Sequence, residues 1–184
     1  MAGTTHKLKN YLSGQWQEGT DEGVPLFDPV NGEELCRATS TGLNIGAALE
    51  WSRNQGGKNL RSMGYSARAE MIGKIADVLA ANKDKYYDIS RRNLGATLGD
   101  NGFDIDGGIF TLKSYARAGK NLGNGSFLKE GANIPLSKEN KFEGQHYLMP
   151  MQGVAVFINA FNFPSWGLWE KAGPAWLSGM PVFI

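Results

Sequence analysis

The sequence has one cysteine, two histidines and almost no net charge. The single thiol, Cys36, excludes a disulfide framework and favours a reducing, cytoplasmic setting. The 19 basic and 18 acidic residues balance to +1, and they form no basic stripe of the kind that binds nucleic acid. His6 and His146 are too isolated in the sequence to hold a metal ion. We therefore expect neither a metal site nor a nucleic-acid partner.

Long apolar runs and phosphate-binding loops are also missing. No window approaches the roughly 18 apolar residues that a membrane span needs, and no charged-then-apolar leader of a secreted protein is present. Neither Gly-x-Gly-x-x-Gly after a strand nor a Walker-type Gly-Lys-Ser/Thr occurs. The acidic stretch "DNGFDID" (100–106) lacks the glycine position and the distal Glu of a calcium loop, so we interpret it as a loop or a helix start. These absences predict no membrane contact.

The first two thirds of the sequence predict two strand regions followed by helices. Alternating apolar and polar residues predict a strand over 10–16, and Asn31-Gly32 predicts a hairpin within 25–40. Helical periodicity begins near Asn44. It then predicts two further helices: one over 66–92, capped by Ser66 and ended by Gly95, and one over roughly 105–120.

The last third predicts a parallel α/β unit. Residues 121–140 are rich in Gly, Asn, Lys and Ser and are predicted to be an irregular connection, and 141–152 an exposed strand or arm. "GVAVFINA" (153–160) is typical of a strand covered on both faces. A helix marked by spaced tryptophans follows, and then the strand "MPVFI". The predicted fold class is α/β.

Asn162 is the residue with the strongest catalytic potential. It follows the predicted buried strand, and Pro164 suits the first turn of the next helix. An Asn amide that donates hydrogen bonds at this location can stabilise an oxyanion, although these residues by themselves favour a helix cap or turn residue. The aromatic residues around it fit a substrate tunnel or a hydrophobic core. No partner constellation surrounds Cys36, so it is interpreted as an inert thiol.

The segment "INAFNFPSWGLWEKAGPAWLSGMPVFI" resembles the aldehyde dehydrogenase superfamily, through its "NFP", "GPAWLSG" and "PVFI" motifs. "YLSGQW", "DPVNGEEL" and "SARAEMIGKIADVLAANKD" stand in the family's order. "DIDGGIFTLKSYA" resembles the branch that acts on CoA-linked semialdehydes in bacterial phenylacetate and benzoyl-CoA degradation. The resemblance implies the N-terminal part of that fold: a Rossmann-like parallel sheet with flanking helices, an N-terminal hairpin region (8–40) and an oligomerisation arm (131–152). All of 1–184 would form a partial NAD(P)-binding domain.

The same resemblance implies roles for individual residues. Asn162 matches the oxyanion donor, and Lys171 matches a position near a proton relay. In the family, the end of this strand lies along the nicotinamide ribose of NAD or NADP, and the corresponding residues here are Ile158, Asn159, Ala160 and Phe161. The positions that line the aldehyde tunnel match Phe163, Trp166, Gly167 and Glu170, where Gly167 replaces a larger side chain and would widen the tunnel.

The family's cofactor Lys, general-base Glu and nucleophilic Cys would follow Ile184, so the catalytic domain is expected to be absent and this chain inactive alone. Cys36 lies on the wrong side of Asn162 to be the nucleophile. The resemblance implies an aldehyde substrate, a homodimer or larger oligomer, and a cytoplasmic enzyme. Two alternatives remain open: a stand-alone module that binds a nucleotide, CoA or another subunit, and an α/β domain with an unknown ligand.

Overall fold

The computed structural model describes residues 6–184, so residues 1–5 of the predicted domain lie outside the described part. Four short strands begin the fold: β1 (Asn10–Leu12), β2 (Gln15–Gln17), β3 (Val24–Phe27) and β4 (Glu34–Ala38). β1 pairs with β2 and β3 pairs with β4, both antiparallel. The Asn31-Gly32 hairpin is confirmed between β3 and β4. The single strand predicted over 10–16 is wrong, because Ser13 and Gly14 adopt φ of 52° and 80° and turn the chain back on itself.

The helices follow as α1 (Ile45–Trp51), a π-helical turn (Ser52–Gly56), α2 (Gly57–Ser62), α3 (Tyr65–Ala81), α4 (Lys83–Leu94) and α5 (Leu98–Lys120). The predicted start near Asn44 is confirmed, since its side chain accepts a hydrogen bond from the Ala47 N–H.

The long helix predicted over 66–92 is two helices. Asn82 separates them, with φ of −117° and a side chain that donates to the Val78 carbonyl, so the backbone leaves the helical path there. Ser66 is not the cap: Gly64 holds that position, and the Ser66 hydroxyl donates to the Gly123 carbonyl. The predicted stop at Gly95 is confirmed by its left-handed φ of 65°.

The third predicted helix starts earlier than its periodicity indicates. α5 begins at Leu98, where the Thr97 hydroxyl accepts a hydrogen bond from the Asp100 N–H. Glycines and polar residues in its first two turns hide the helical pattern. As a result, "DNGFDID" lies in the first turns of α5. The loop interpretation is wrong, whereas the helix-start interpretation is confirmed, since Asp100 is the acidic residue of the first turn.

The rest of the chain contains β5 (Leu128–Pro135), β6 (Glu143–Leu148), β7 (Ala155–Val156), α6 (Pro164–Leu177) and β8 (Val182–Phe183). β5 and β6 form an antiparallel ribbon, so the irregular connection predicted over 121–140 is wrong over Leu128–Pro135. Most side chains of this ribbon are exposed. The exposed strand predicted over 141–152 is confirmed as β6.

β7, α6 and β8 form the predicted βαβ unit, with β7 and β8 parallel. β7 is shorter than predicted, and Val156 and Ile158 are 60% and 92% exposed within the described chain. The prediction that this strand is buried on both faces is therefore not met within residues 6–184.

The hydrophobic core lies where α3, α5 and α6 meet. Ala69 and Ile72 of α3, Leu112 and Ala116 of α5 and Leu177 of α6 form its buried centre. Within residues 6–184, no helix is long and apolar enough to span a membrane.

Candidate active site

Asn162 lies in the connection between β7 and α6, two residues before the helix starts. Its side chain is exposed, and it makes no hydrogen bond to any residue of 6–184. The helix cap is Phe163 rather than Asn162, which disfavours the interpretation of Asn162 as a capping residue. The amide therefore remains able to donate hydrogen bonds at the carboxyl end of a parallel strand, where α/β folds bind their ligands.

The first turn of α6 is capped by a carboxylate from another helix. One oxygen of Asp104, Oδ1, lies 2.9 Å from both the Ser165 and the Trp166 backbone N. Asp104 belongs to α5 and is 1% exposed. The free N–H groups of a helix start favour negative charge, and here the protein's own carboxylate occupies two of them.

Asp104 is part of a buried polar network that joins α4, α5 and α6. The Ser90 hydroxyl of α4 lies 3.3 Å from Asp104 Oδ2 and 3.2 Å from Asn101 Oδ1. The Asn101 amide donates to the Tyr87 carbonyl at 3.3 Å. None of these residues was predicted from the sequence to belong to a site. The pattern Thr97-x-x-Asp100 was the signal that α5 starts early and that Asp104 is helical.

The stretch predicted to bind the cofactor forms one wall of a cavity of about 590 Å³. Asn159, Ala160 and Phe161 line it, whereas Ile158 is 92% exposed. The Asn159 Oδ1 atom is buried and has no hydrogen-bond partner in the described chain. A buried acceptor without a partner is costly unless a bound group or water satisfies it.

The other walls of this cavity were not identified from sequence. They come from the N-terminal strand region, with Leu8, Leu26, Leu35 and Cys36, and from α4, with Asp88, Ile89, Arg92 and Asn93. Burial, with a contribution from the Glu34 carboxylate, raises the pKa of the Cys36 thiol. A thiol with a raised pKa forms less thiolate, so Cys36 lacks the character of a nucleophile.

The four predicted tunnel residues lie on the first turns of α6 or at its cap. The Phe163 and Trp166 rings meet edge to face with their centres 6.0 Å apart. A Cβ at Gly167 would have no neighbour within 4 Å, whereas one at Gly107 would contact the Trp166 ring at 3.5 Å. Trp166 is thus partly a packing residue against α5, while Gly167 borders open space and Glu170 is exposed.

Lys171 lies on the same helix and points to the strand side. Its Nζ atom lies 5.8 Å from the centre of the Phe157 ring, a cation–π distance. No salt bridge to Lys171 is present among residues 6–184. Its part in a proton relay stays a prediction. In the same range, no group of three or more His, Cys, Asp or Glu side chains is arranged to hold a metal ion.

The family model for the aldehyde dehydrogenase family matches residues 16–184. The chain belongs to the aldehyde dehydrogenase family. It is 58% identical over 177 residues to a 3,4-dehydroadipyl-CoA semialdehyde dehydrogenase from Aromatoleum evansii, covering 96% of this chain and 34% of the relative. The predicted resemblance to the superfamily is confirmed.

More distant relatives share the same segment. An NADP-dependent glyceraldehyde-3-phosphate dehydrogenase from Streptococcus equinus is 25% identical, over 98% of this chain and 37% of its own length. The crystal structure of an NAD-dependent benzaldehyde dehydrogenase from Corynebacterium glutamicum superposes with a TM-score of 0.78 at 18% identity, over 95% of this chain and 36% of that one. The superposition confirms the fold class. The chain spans about a third of the length of the curated relatives it matches.

Proposed function

We propose that this chain forms the N-terminal, NAD(P)-binding part of an aldehyde dehydrogenase that oxidises a CoA-linked semialdehyde to the acid during the catabolism of aromatic compounds. The observation that carries this is the exposed Asn162 amide at the junction of β7 and α6, in a chain that belongs to this family. The 58% identity to the A. evansii enzyme supports the substrate class. A cytoplasmic location and a homodimer or larger oligomer are part of the same proposal.

In this mechanism Asn162 donates its amide N–H to the oxyanion that forms when a thiolate attacks the aldehyde carbon. A preorganised donor favours the charge that develops in the transition state and lowers the barrier to attack. The Cys nucleophile and the general-base Glu would belong to the part of the enzyme beyond Ile184. The walls beside Asn162, formed by Phe163, Trp166 and Gly167, would hold the aldehyde in line with this amide.

The residues of the strand end fit a dinucleotide. The cavity lined by Asn159, Ala160 and Phe161 offers room for the ribose of the dinucleotide. NAD or NADP bound there would accept the hydride from the aldehyde carbon. Lys171 is proposed to help proton movement near the tunnel.

The test is a chimera in which residues 1–184 replace the matching third of the A. evansii enzyme. We expect it to reduce NAD or NADP when given 3,4-dehydroadipyl-CoA semialdehyde, and to lose most of that activity with the same semialdehyde lacking CoA. The A. evansii enzyme itself is the control. A chimera that has the parent's oligomeric state and thermal unfolding but reduces neither nucleotide contradicts the proposal and favours a non-catalytic binding or subunit-interaction module.

A further inference from the structure

The segment that carries Asn162 is held at its two ends. At the strand end, the Phe157 N–H donates to the Phe183 carbonyl at 2.9 Å. At the helix end, the Gly167 N–H donates to the Phe163 carbonyl at 2.9 Å. Residues 158–162 make no hydrogen bond, by backbone or side chain, to any other residue of 6–184. The position of the Asn162 amide therefore depends on how firmly the two ends are fixed.

The helix end is fixed by Asp104. Phe163 caps α6 without a side-chain hydrogen bond, and Pro164 has no N–H. The next two N–H groups, of Ser165 and Trp166, both donate to the same Asp104 oxygen. Asn162 lies only three residues before the first of them.

The Asp104 carboxylate is itself rigidly placed. It is 1% exposed, and its second oxygen lies 3.3 Å from the Ser90 hydroxyl. α5 approaches α6 closely at this level, since a Cβ at Gly108 would lie 2.6 Å from the Trp169 ring and 3.4 Å from the Trp166 Cα. The carboxylate is thus held by α4 and α5, and it transmits their position to the first turn of α6.

We propose that Asp104 is a positioning residue for the Asn162 amide: its buried carboxylate fixes the first turn of α6 and thereby the place where the oxyanion is bound. The inference rests on the proposed function, because it assigns Asp104 a task in the reaction of that same site. Asp104 touches neither substrate nor reacting atoms. Its effect on turnover passes through the backbone from Ser165 to Asn162.

A double-mutant cycle in the active chimera tests the inference. Asp104→Ala leaves two N–H groups uncapped, and we expect kcat to fall about 10- to 100-fold, as misplacement of a catalytic group by about 1 Å does, with a smaller change in the aldehyde KM. In the Asn162→Ala background the same change should lower kcat by no more than about twofold, since the group it positions is gone.

If Asp104 only stabilises the fold, the double-mutant cycle gives a different pattern of kcat values. If Asp104→Ala lowers kcat by the same factor with and without Asn162, the positioning role is overturned. The same holds if Asp104→Ala turns over normally while Asn162→Ala is slow, and that result leaves the proposed function intact. If Asn162→Ala itself turns over normally, the oxyanion assignment fails, and the inference fails with it.

Two further variants keep the test informative if Asp104→Ala folds poorly. Asp104→Asn keeps an oxygen acceptor at the cap and should recover most of the lost kcat. Ser90→Ala removes the hydroxyl beside Asp104 Oδ2 and Asn101 Oδ1 but leaves Asp104 Oδ1 at the cap, and it should lower kcat less than Asp104→Ala. The control is Asp106→Ala, which removes an exposed carboxylate two residues further along α5 that contacts Lys83 and Tyr87 of α4; it should leave kcat within about twofold of the unsubstituted chimera.

A readout independent of activity is hydrogen exchange. Peptides of the chimera that contain the Ser165 and Trp166 amides should exchange faster in Asp104→Ala than in Asp106→Ala, while peptides of the β5–β6 ribbon should not change. Equal exchange of the Ser165 and Trp166 amides in both variants overturns the inference, whatever the activities are.

Discussion

The Arg68 guanidinium donates a hydrogen bond to the Leu177 carbonyl oxygen, 2.8 Å away and 109 residues later in the chain. The same side chain donates to the carbonyls of Leu60, Met63 and Ser126. It is completely buried. One arginine therefore links the end of α2, the end of α6 and the segment before β5. Backbone carbonyls accept the hydrogen bonds of its charged guanidinium.

Replacing Arg68 by Met should destabilise the chain by about 3 kcal/mol, because several buried carbonyl groups lose their donor while the apolar volume is largely kept. Urea denaturation of both proteins measures the difference in the free energy of unfolding. The control is Arg91→Met, which removes an exposed guanidinium paired with Asp88 and should change stability by less than about 0.5 kcal/mol. Equal losses of unfolding free energy in the two variants contradict a stabilising role of the Arg68 hydrogen bonds.

Replacing two glycines of α5 by alanine should change the stability of the protein in opposite directions. A Cβ at Gly119 would lie 2.8 Å from the Ala69 Cβ and even closer to the Leu177 side chain, whereas one at Gly102 would meet nothing within 4 Å. Gly119→Ala should cost about 1–3 kcal/mol through overpacking. Gly102→Ala should add about 0.5–1 kcal/mol through helix propensity. Thermal unfolding of the two variants checks both signs, and a stabilised Gly119→Ala protein contradicts the close helix contact.

Local signals in the sequence predicted much of the fold. Asn31-Gly32 identified a hairpin and Gly95 a helix end, because glycines with positive φ are required there. The βαβ unit was predicted from an apolar run, a spaced tryptophan pattern and a second apolar run. The break at Asn82 was missed because the apolar periodicity continues through it into α4.

The candidate site was only half predictable. Asn162 follows from a contiguous motif, and so do its neighbours Phe163 and Gly167. Asp104 acts across 61 residues of sequence, and no local pattern shows which helix N-terminus a buried carboxylate will reach. The walls contributed by α4 are likewise a result of packing, so periodicity reveals at most that α4 has a face toward the protein.

Tyr87 should ionise only at strongly alkaline pH. Its hydroxyl donates to the Asp106 carboxylate; this bond, with burial and the nearby Asp106 charge, raises the pKa of Tyr87 to about 12. Because the folded-state pKa is raised, the contribution of this bond to stability is complete below pH 10, the ordinary tyrosine value, and is lost as the pH rises toward 12.

Ultraviolet titration of tyrosinate checks this prediction. Tyr87→Phe should remove one late-titrating phenol among the six tyrosines. Asp106→Asn should return the Tyr87 pKa toward 10, while Asp100→Asn, which changes a carboxylate bonded to Thr97, should not. Retention of the late phenol in Asp106→Asn contradicts the assigned cause.

The proposed oligomerisation arm, residues 131–152, predicts that self-association depends on the tip of the β5–β6 ribbon. Leu136 and Phe142 are 67% and 70% exposed there, beyond the ends of the two strands. In the chimera, Phe142→Glu should reduce the assembly to smaller species, since a charge in an apolar contact is costly. Light scattering after size exclusion measures this. Phe110→Glu, at a phenylalanine of α5 that is 69% exposed, is the control, and equal dissociation by both changes argues against the arm.

The oxyanion role of Asn162 predicts a loss of turnover without a loss of fold. In the chimera, Asn162→Ala should lower kcat by about 100-fold or more, because one preorganised donor to the developing negative charge is removed. Asn162→Asp should be at least as slow, since a carboxylate offers no N–H and repels the oxyanion. Thermal unfolding should be nearly unchanged in both, because the side chain is exposed and makes no hydrogen bond within residues 6–184.

A control substitution at another exposed Asn separates the loss of the oxyanion donor from a general effect of removing an amide side chain. Asn121→Ala removes an exposed amide at the end of α5 and should leave kcat unchanged. Single-turnover measurement of hydride transfer then locates the defect, since a missing oxyanion donor slows the attack on the aldehyde and not the release of products. If Asn162→Ala turns over within a few-fold of the unsubstituted chimera, the amide has no part in the reaction, and the exposed position of Asn162 needs another explanation.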